Sequence, residues 1–106
     1  MIIPEYFKQN LELEINVFDH PVNVEYRFWW PEKKDNGKDP MFGHVEFRSD
    51  SEIISETGYR SHFFYTDYLK ETPYRNINEF VQALAEHFAK EMGYEPPGHG
   101  SQLRMF

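Results

Sequence analysis

Two groups of residues in this sequence have types and spacings that could do chemistry. The first runs through three alternating stretches: Glu12 and Glu14, then Glu25 and Arg27, then His44, Glu46 and Arg48. If those stretches are neighbouring strands, all seven side chains share one sheet face. A Glu and a His can serve as base and acid while an Arg stabilises a phosphorane, the equipment of a small metal-free ribonuclease. Cross-strand pairing of surface charges produces the same mixture without any catalysis. The second group is Glu56-Thr57-Gly58-Tyr59-Arg60-Ser61-His62-Phe63. Thr-Gly reads as a bend with Gly58 at positive φ. Beyond it Arg60 and His62 have the chemistry of a phosphate or carboxylate site: a guanidinium binds such anions bidentately, and an imidazole donates to them or shuttles a proton. The structural alternative makes Tyr59 and Phe63 core rings, with Arg60 paired to a strand carboxylate and His62 bonded to a backbone carbonyl. A nuclease built across both groups would use His44, Glu46, Arg60 and His62.

Other chemistries find little support. The chain has no cysteine, which excludes disulfides, thiolate zinc sites, iron–sulfur clusters and thiol nucleophiles. His44-x-Glu46 and His87-x-x-x-Glu91 each offer two metal ligands and no third. No phosphate loop, dinucleotide fingerprint, nucleophile elbow or zincin helix is present. The reading is therefore non-enzymatic, with no cofactor and no metal.

These residues need elements to hold them. Residues 11–18 alternate, with Leu11, Leu13, Ile15 and Val17 on one face, and Asp19-His20-Pro21 reads as a turn. Residues 22–30 alternate again and form a hairpin with the first run. Val22, Val24, Tyr26, Phe28 and Trp30 fall on the core side, and Trp29 lies outside with Arg27 and Glu25. Residues 31–40 are a polar loop. Residues 41–48 are a third strand, with Met41, Gly43, Val45 and Phe47 facing one way. A less regular fourth stretch runs from Ile53 towards Phe64. Residues 66–71 suggest a short helix. Residues 76–92 carry Ile77, Phe80, Val81, Leu84, Ala85, Phe88 and Met92 at helical spacing. Asn76 and Glu79 suit a capping box, and Gly93 suits the C′ position. The fold class is α+β: an antiparallel sheet of three to four strands packed on one C-terminal amphipathic helix. The 106 residues make a single domain, 1–106, with a Gly/Pro-containing tail over 95–106. Leu103, Met105 and Phe106 in that tail suit packing on the domain, or a homodimer contact.

Composition narrows the partner. There are 18 acids against 11 bases, a net charge of −7, spread along the chain. A duplex-DNA binder needs a basic stripe, and this chain has none. Spread acidity suits solubility, or a surface that competes with nucleic acid for a basic protein. Nineteen rings, 18% of the residues, supply both core and surface anchors. No run is long and apolar enough for a membrane span, and the N-terminus lacks a signal-peptide pattern, so the expectation is cytoplasmic.

The run TGYRSHF, residues 57–63, followed by an amphipathic helix carrying Phe80-Val81, resembles a pattern in small uncharacterised phage and plasmid proteins. The resemblance covers under half the chain. It implies a mobile-element origin and assigns no activity. The leading reading is a small acidic interaction protein that binds and inhibits a nucleic-acid-handling protein, as anti-CRISPR or antirestriction proteins do. Its contact residues would be Glu12, Glu14, Glu25 and Trp29 on the sheet, and Glu56, Tyr59, Arg60 and His62 at the TGYRSHF turn. The rivals are a single-stranded nucleic-acid binder, which stacks bases on sheet aromatics and holds phosphates with Arg27, Arg48 and Arg60, and the small nuclease.

Overall fold

The structure is a computed structural model that describes residues 2–30 and 37–94. Of the expected 31–40 loop only residues 37–40 are described, and the expectations for the 95–106 tail lie outside the described residues. Four strands, β1 (Asn10–Val17), β2 (His20–Arg27), β3 (Phe42–Arg48) and β4 (Tyr59–Tyr65), form one antiparallel meander in the order β1-β2-β3-β4. One helix, α1 (Ile77–Glu91), packs on one side of it, and short 3-10 turns occupy Glu5–Phe7 and Thr66–Lys70. This is the expected α+β architecture.

The β1–β2 hairpin closes more tightly than Asp19-His20-Pro21 suggested. Val17 pairs with His20 across a two-residue turn of Phe18 and Asp19, both at positive φ (49° and 73°). That geometry matches the twist of a two-residue hairpin, so His20 and Pro21 belong to β2. β4 begins later than expected. Gly58, at φ 79°, closes the loop after β3, with the Ser49 N–H donating to its carbonyl at 2.7 Å. Ile53 and Ile54 stay in that loop and are buried there.

Leu11, Leu13, Ile15 and Val17, then Val22, Val24 and Tyr26, then Gly43, Val45 and Phe47, share the inner face with Arg60, His62 and Phe64 of β4. Met41, expected inside, precedes the strand and is exposed. The Phe64 ring lies across Gly43, where any side chain would overlap it. Tyr26 is fully buried, and its hydroxyl is satisfied by donating to the Phe7 carbonyl at 2.8 Å. Phe80 of α1 meets Phe64 (5.2 Å between centroids) and Tyr26 (6.3 Å), tying the helix to the sheet.

Both ends of α1 are built from its sequence. The Asn76 side chain accepts from the Glu79 N–H at 2.8 Å. The Glu79 carboxylate does not close the box on Asn76; it accepts from the Arg75 N–H and pairs with the Arg75 guanidinium. At the other end the Gly93 N–H donates to Lys90 and the Tyr94 N–H to Ala89, a Schellman closure around Gly93 at φ 93°. Tyr94 then stacks on Phe18 at 4.9 Å, fixing the helix end to the first hairpin. Thus α1 lies chiefly over β1 and β2.

Candidate interaction face

The face of the sheet turned away from α1 carries the charged set expected from the alternation. Register places Glu12, Glu25, Glu46 and Ser61 in one row across the four strands. On one side of it runs the row Glu14, Asn23, Arg48 and Tyr59, and on the other Asn10, Arg27, His44 and Phe63. No described element packs on this face.

Three carboxylates directly opposite one another repel. Two of them are balanced within their own strands: Arg27 pairs with Glu25, and Arg48 with Glu46 at 2.9 Å. Glu12 and Glu14 are exposed and have no ion pair among the described residues. Four carboxylates against two guanidiniums leave the face acidic, most strongly along β1.

The other end of the face is aromatic. Trp30 stacks on His44 at 4.5 Å, and Phe63 lies tilted against the same imidazole at 4.5 Å and edge-on to Trp30 at 6.3 Å. His44, expected on an open polar face, is therefore 5% exposed, and its Nδ1 has no hydrogen-bond partner. Glu46 lies 3.8 Å from that nitrogen. Burial holds the His44 pKa below the ordinary histidine value, against the opposing pull of Glu46 and Glu25. Phe42 and Tyr65 pair beside this group at 4.8 Å. Phe63 and Tyr65 are 53% and 62% exposed, too much for the core role that the alternation allowed Phe63. Arg48 reaches over Tyr59 at 4.8 Å, so Tyr59 also belongs to this face and not to the core.

The expected contact residues do not all meet. Glu12, Glu14, Glu25 and Tyr59 share the face, and Glu56 is exposed in the turn before β4. Trp29 is not among them. β2 ends at Arg27, the chain bends over Phe28–Trp30, and the alternation lapses there. Trp29 packs against the core, edge-on to Phe28, and its indole N–H donates to Lys8 at 3.4 Å. Trp30, expected inside, is the ring that reaches the outer face.

Arg60 and His62 also leave the set, because they fall on the helix side. Arg60 lies 3.8 Å over the Phe88 ring and pairs with Glu91 at 3.3 Å. His62 sits beside Phe88, and its pKa is lowered by burial and then by Arg60 and His87. The nuclease set is therefore split by the sheet: His44 pairs with Phe63, which sends His62 to the opposite face from His44 and Glu46. Among the described residues no group of three or more His, Asp or Glu is placed to hold a metal ion. None of the helices there is long and apolar enough to cross a membrane.

Fold and face define a small α+β module: a four-stranded meander covered on one face by one helix, with no described element on its second face. A family model described as the KlcB third domain matches residues 10–94, from the start of β1 to the residue that locks the end of α1, and the chain belongs to that family. No curated protein and no solved structure matches it.

Proposed function

We propose that this chain is a plasmid-associated, non-catalytic binding module whose acidic outer sheet face docks on a basic surface of a nucleic-acid-handling protein and inhibits it. One observation carries the reading: the in-register row Glu12–Glu25–Glu46 lies on a face with no described cover, beside the Trp30, Phe42, Phe63 and Tyr65 rings. A cationic partner relieves the repulsion within the row, and exposed rings give such a contact its anchors. Membership of a family named for a third domain supports the role of one module among several, and the mobile-element origin rests on the TGYRSHF resemblance. The compartment this reading expects is the cytoplasm.

The test is a pull-down of tagged protein from bacterial lysate, with and without nuclease, using wild type and the Glu12→Lys/Glu14→Lys variant. Both positions are exposed, so the fold should survive the change. The expected result is a protein partner that survives nuclease and is lost on charge reversal or at high salt. Retention of nucleic acid alone, removed by nuclease, would favour a second reading. In that reading Tyr59, Phe63 and Tyr65, spaced along the outer face of β4, stack the bases of a single strand.

A further inference from the structure

We propose that two copies of this chain pair antiparallel through β4, with a two-fold axis at His62, to make one eight-stranded sheet. The first ground is the contrast between the two sheet edges. On β1 the edge residues Glu12 and Glu14 are charged, and the Asn16 carbonyl accepts from the Gln82 side chain at 2.7 Å. Self-pairing there would set carboxylates against carboxylates, a common protection of edge strands. β4, Tyr59–Tyr65, has no lysine, no proline and no acid. Its single charge, Arg60, is held inward by Glu91 and Phe88. In a chain of net charge −7 this edge can meet its own copy without opposing charges.

Hydrogen-bond parity sets the register. The Ser49 N–H donates to Gly58 and the Thr66 N–H to Met41, so the even-numbered residues of β4 bond to β3. The odd-numbered residues turn their backbone groups outward. The Tyr59 carbonyl is taken by the Ser55 hydroxyl at 2.7 Å, and Tyr65 caps the following 3-10 turn. Among the described residues nothing takes the outward groups of Ser61 and Phe63. Antiparallel pairing about His62 sets Ser61 against Phe63 of the second copy and satisfies all four of their N–H and C=O groups. It also sets the small Ser61 beside the large Phe63 ring, and Tyr59 beside Tyr65 of the second copy.

Both faces next to β4 have room for this. α1 lies over β1 and β2, leaving a groove of about 560 Å³ whose lining includes His62, Tyr68, Tyr74, Leu84 and His87. On the outer face Phe63 and Tyr65 are more than half exposed. A second copy covers apolar surface on each side of the new strand pair.

The pairing can be tested directly because the chain has no cysteine. At the two-fold, His62 forms a non-hydrogen-bonded pair with its copy, at a Cα separation of about 4.5 Å, which a disulfide spans. Wild type should sediment as a dimer, and His62→Cys should cross-link to a disulfide-bonded dimer under mild oxidation. Ser61→Pro removes an outward N–H without touching the bonds to β3, and should sediment as a monomer with an unchanged circular dichroism spectrum. A wild type that stays monomeric at the highest concentration reached overturns the proposal; the edge would then be free for a peptide or another domain. A dimer in which His62→Cys fails to cross-link overturns it equally, whether or not Ser61→Pro folds.

Discussion

Two glycines with similar backbone angles separate two costs that usually come together. Gly58 has φ 79° and Gly93 φ 93°, both in the region that disfavours a Cβ. At Gly93 a methyl group would meet nothing within 4 Å. At Gly58 it would overlap the Ser49 carbonyl oxygen and lie 3.2 Å from that of Ser51. Those atoms are backbone, and the Ser49 N–H is bonded to the Gly58 carbonyl, so relief requires opening the β3–β4 connection. Gly93→Ala should therefore cost only the left-handed penalty, about 1–2 kcal/mol. Gly58→Ala should cost that plus an overpacking term of about 1–3 kcal/mol. The sum is about 2–5 kcal/mol, a large share of the roughly 5–15 kcal/mol that holds a domain together. Urea unfolding of wild type and both variants, with the slope compared between them, gives the two losses. Equal losses would refute the reasoning, since only the clash distinguishes the sites. A larger loss at Gly93 would show that the Schellman closure matters more than the β4 turn.

Three further outcomes follow from the packing and the titrating groups. Phe80→Ala should cost about 3–5 kcal/mol, as for buried rings generally, because Phe80 meets Tyr26, Phe64 and Tyr74; an unchanged melting temperature would show that α1 does not anchor there. Asp19→Gly should stabilise by about 0.5–1 kcal/mol, since it relieves a non-glycine residue at φ 73° in the hairpin turn; thermal unfolding reads this as a rise of a few degrees. His44 and His62 are both held below the ordinary histidine pKa, chiefly by burial. The unfolded chain then binds more protons than the folded one in mild acid, so stability is greatest above the ordinary histidine pKa of about 6.5 and falls as pH drops below it. The urea midpoint should decline over that window, and less in His44→Leu.

The sequence shows β1, β2 and α1 clearly, because each repeats one pattern throughout. Leu11–Val17 and Val22–Tyr26 alternate without interruption, and α1 has Asn76 at its start and Gly93 past its end. The acidic row is legible for the same reason, since parity alone sends Glu12, Glu25 and Glu46 to one side. β4 is not legible. Both parities of Tyr59–Tyr65 carry rings or polar groups, so alternation cannot say which set is inside. Only the pairing of His44 with Phe63 decides it. The Trp pair misleads differently: the strand ends two residues before Trp29, and a parity argument carried past the end of a strand inverts both rings. Nor does anything local foretell that Trp30 and Phe63 will bury His44, because that enclosure joins the bend after β2 to β3 and β4.

The two proposals bear on each other through the outer face. Along the row Glu12–Glu25–Glu46–Ser61, charge declines from β1 to β4, while the exposed rings Phe63 and Tyr65 sit on β4. Pairing through β4 would place these rings from both copies at the centre of one continuous face and the two carboxylate rows at its flanks. A partner that reads this face would then meet an apolar centre between two acidic arms, and its basic residues would have to fall on both sides. Charge reversal at Glu12 and Glu14 alters both arms at once, far from the strand that joins the copies. It should abolish capture while leaving the sedimentation of the dimer unchanged. Ser61→Pro should do the reverse to the assembly and weaken capture by removing one arm. If Ser61→Pro leaves capture at full strength, one arm is sufficient, and the binding unit is the single chain.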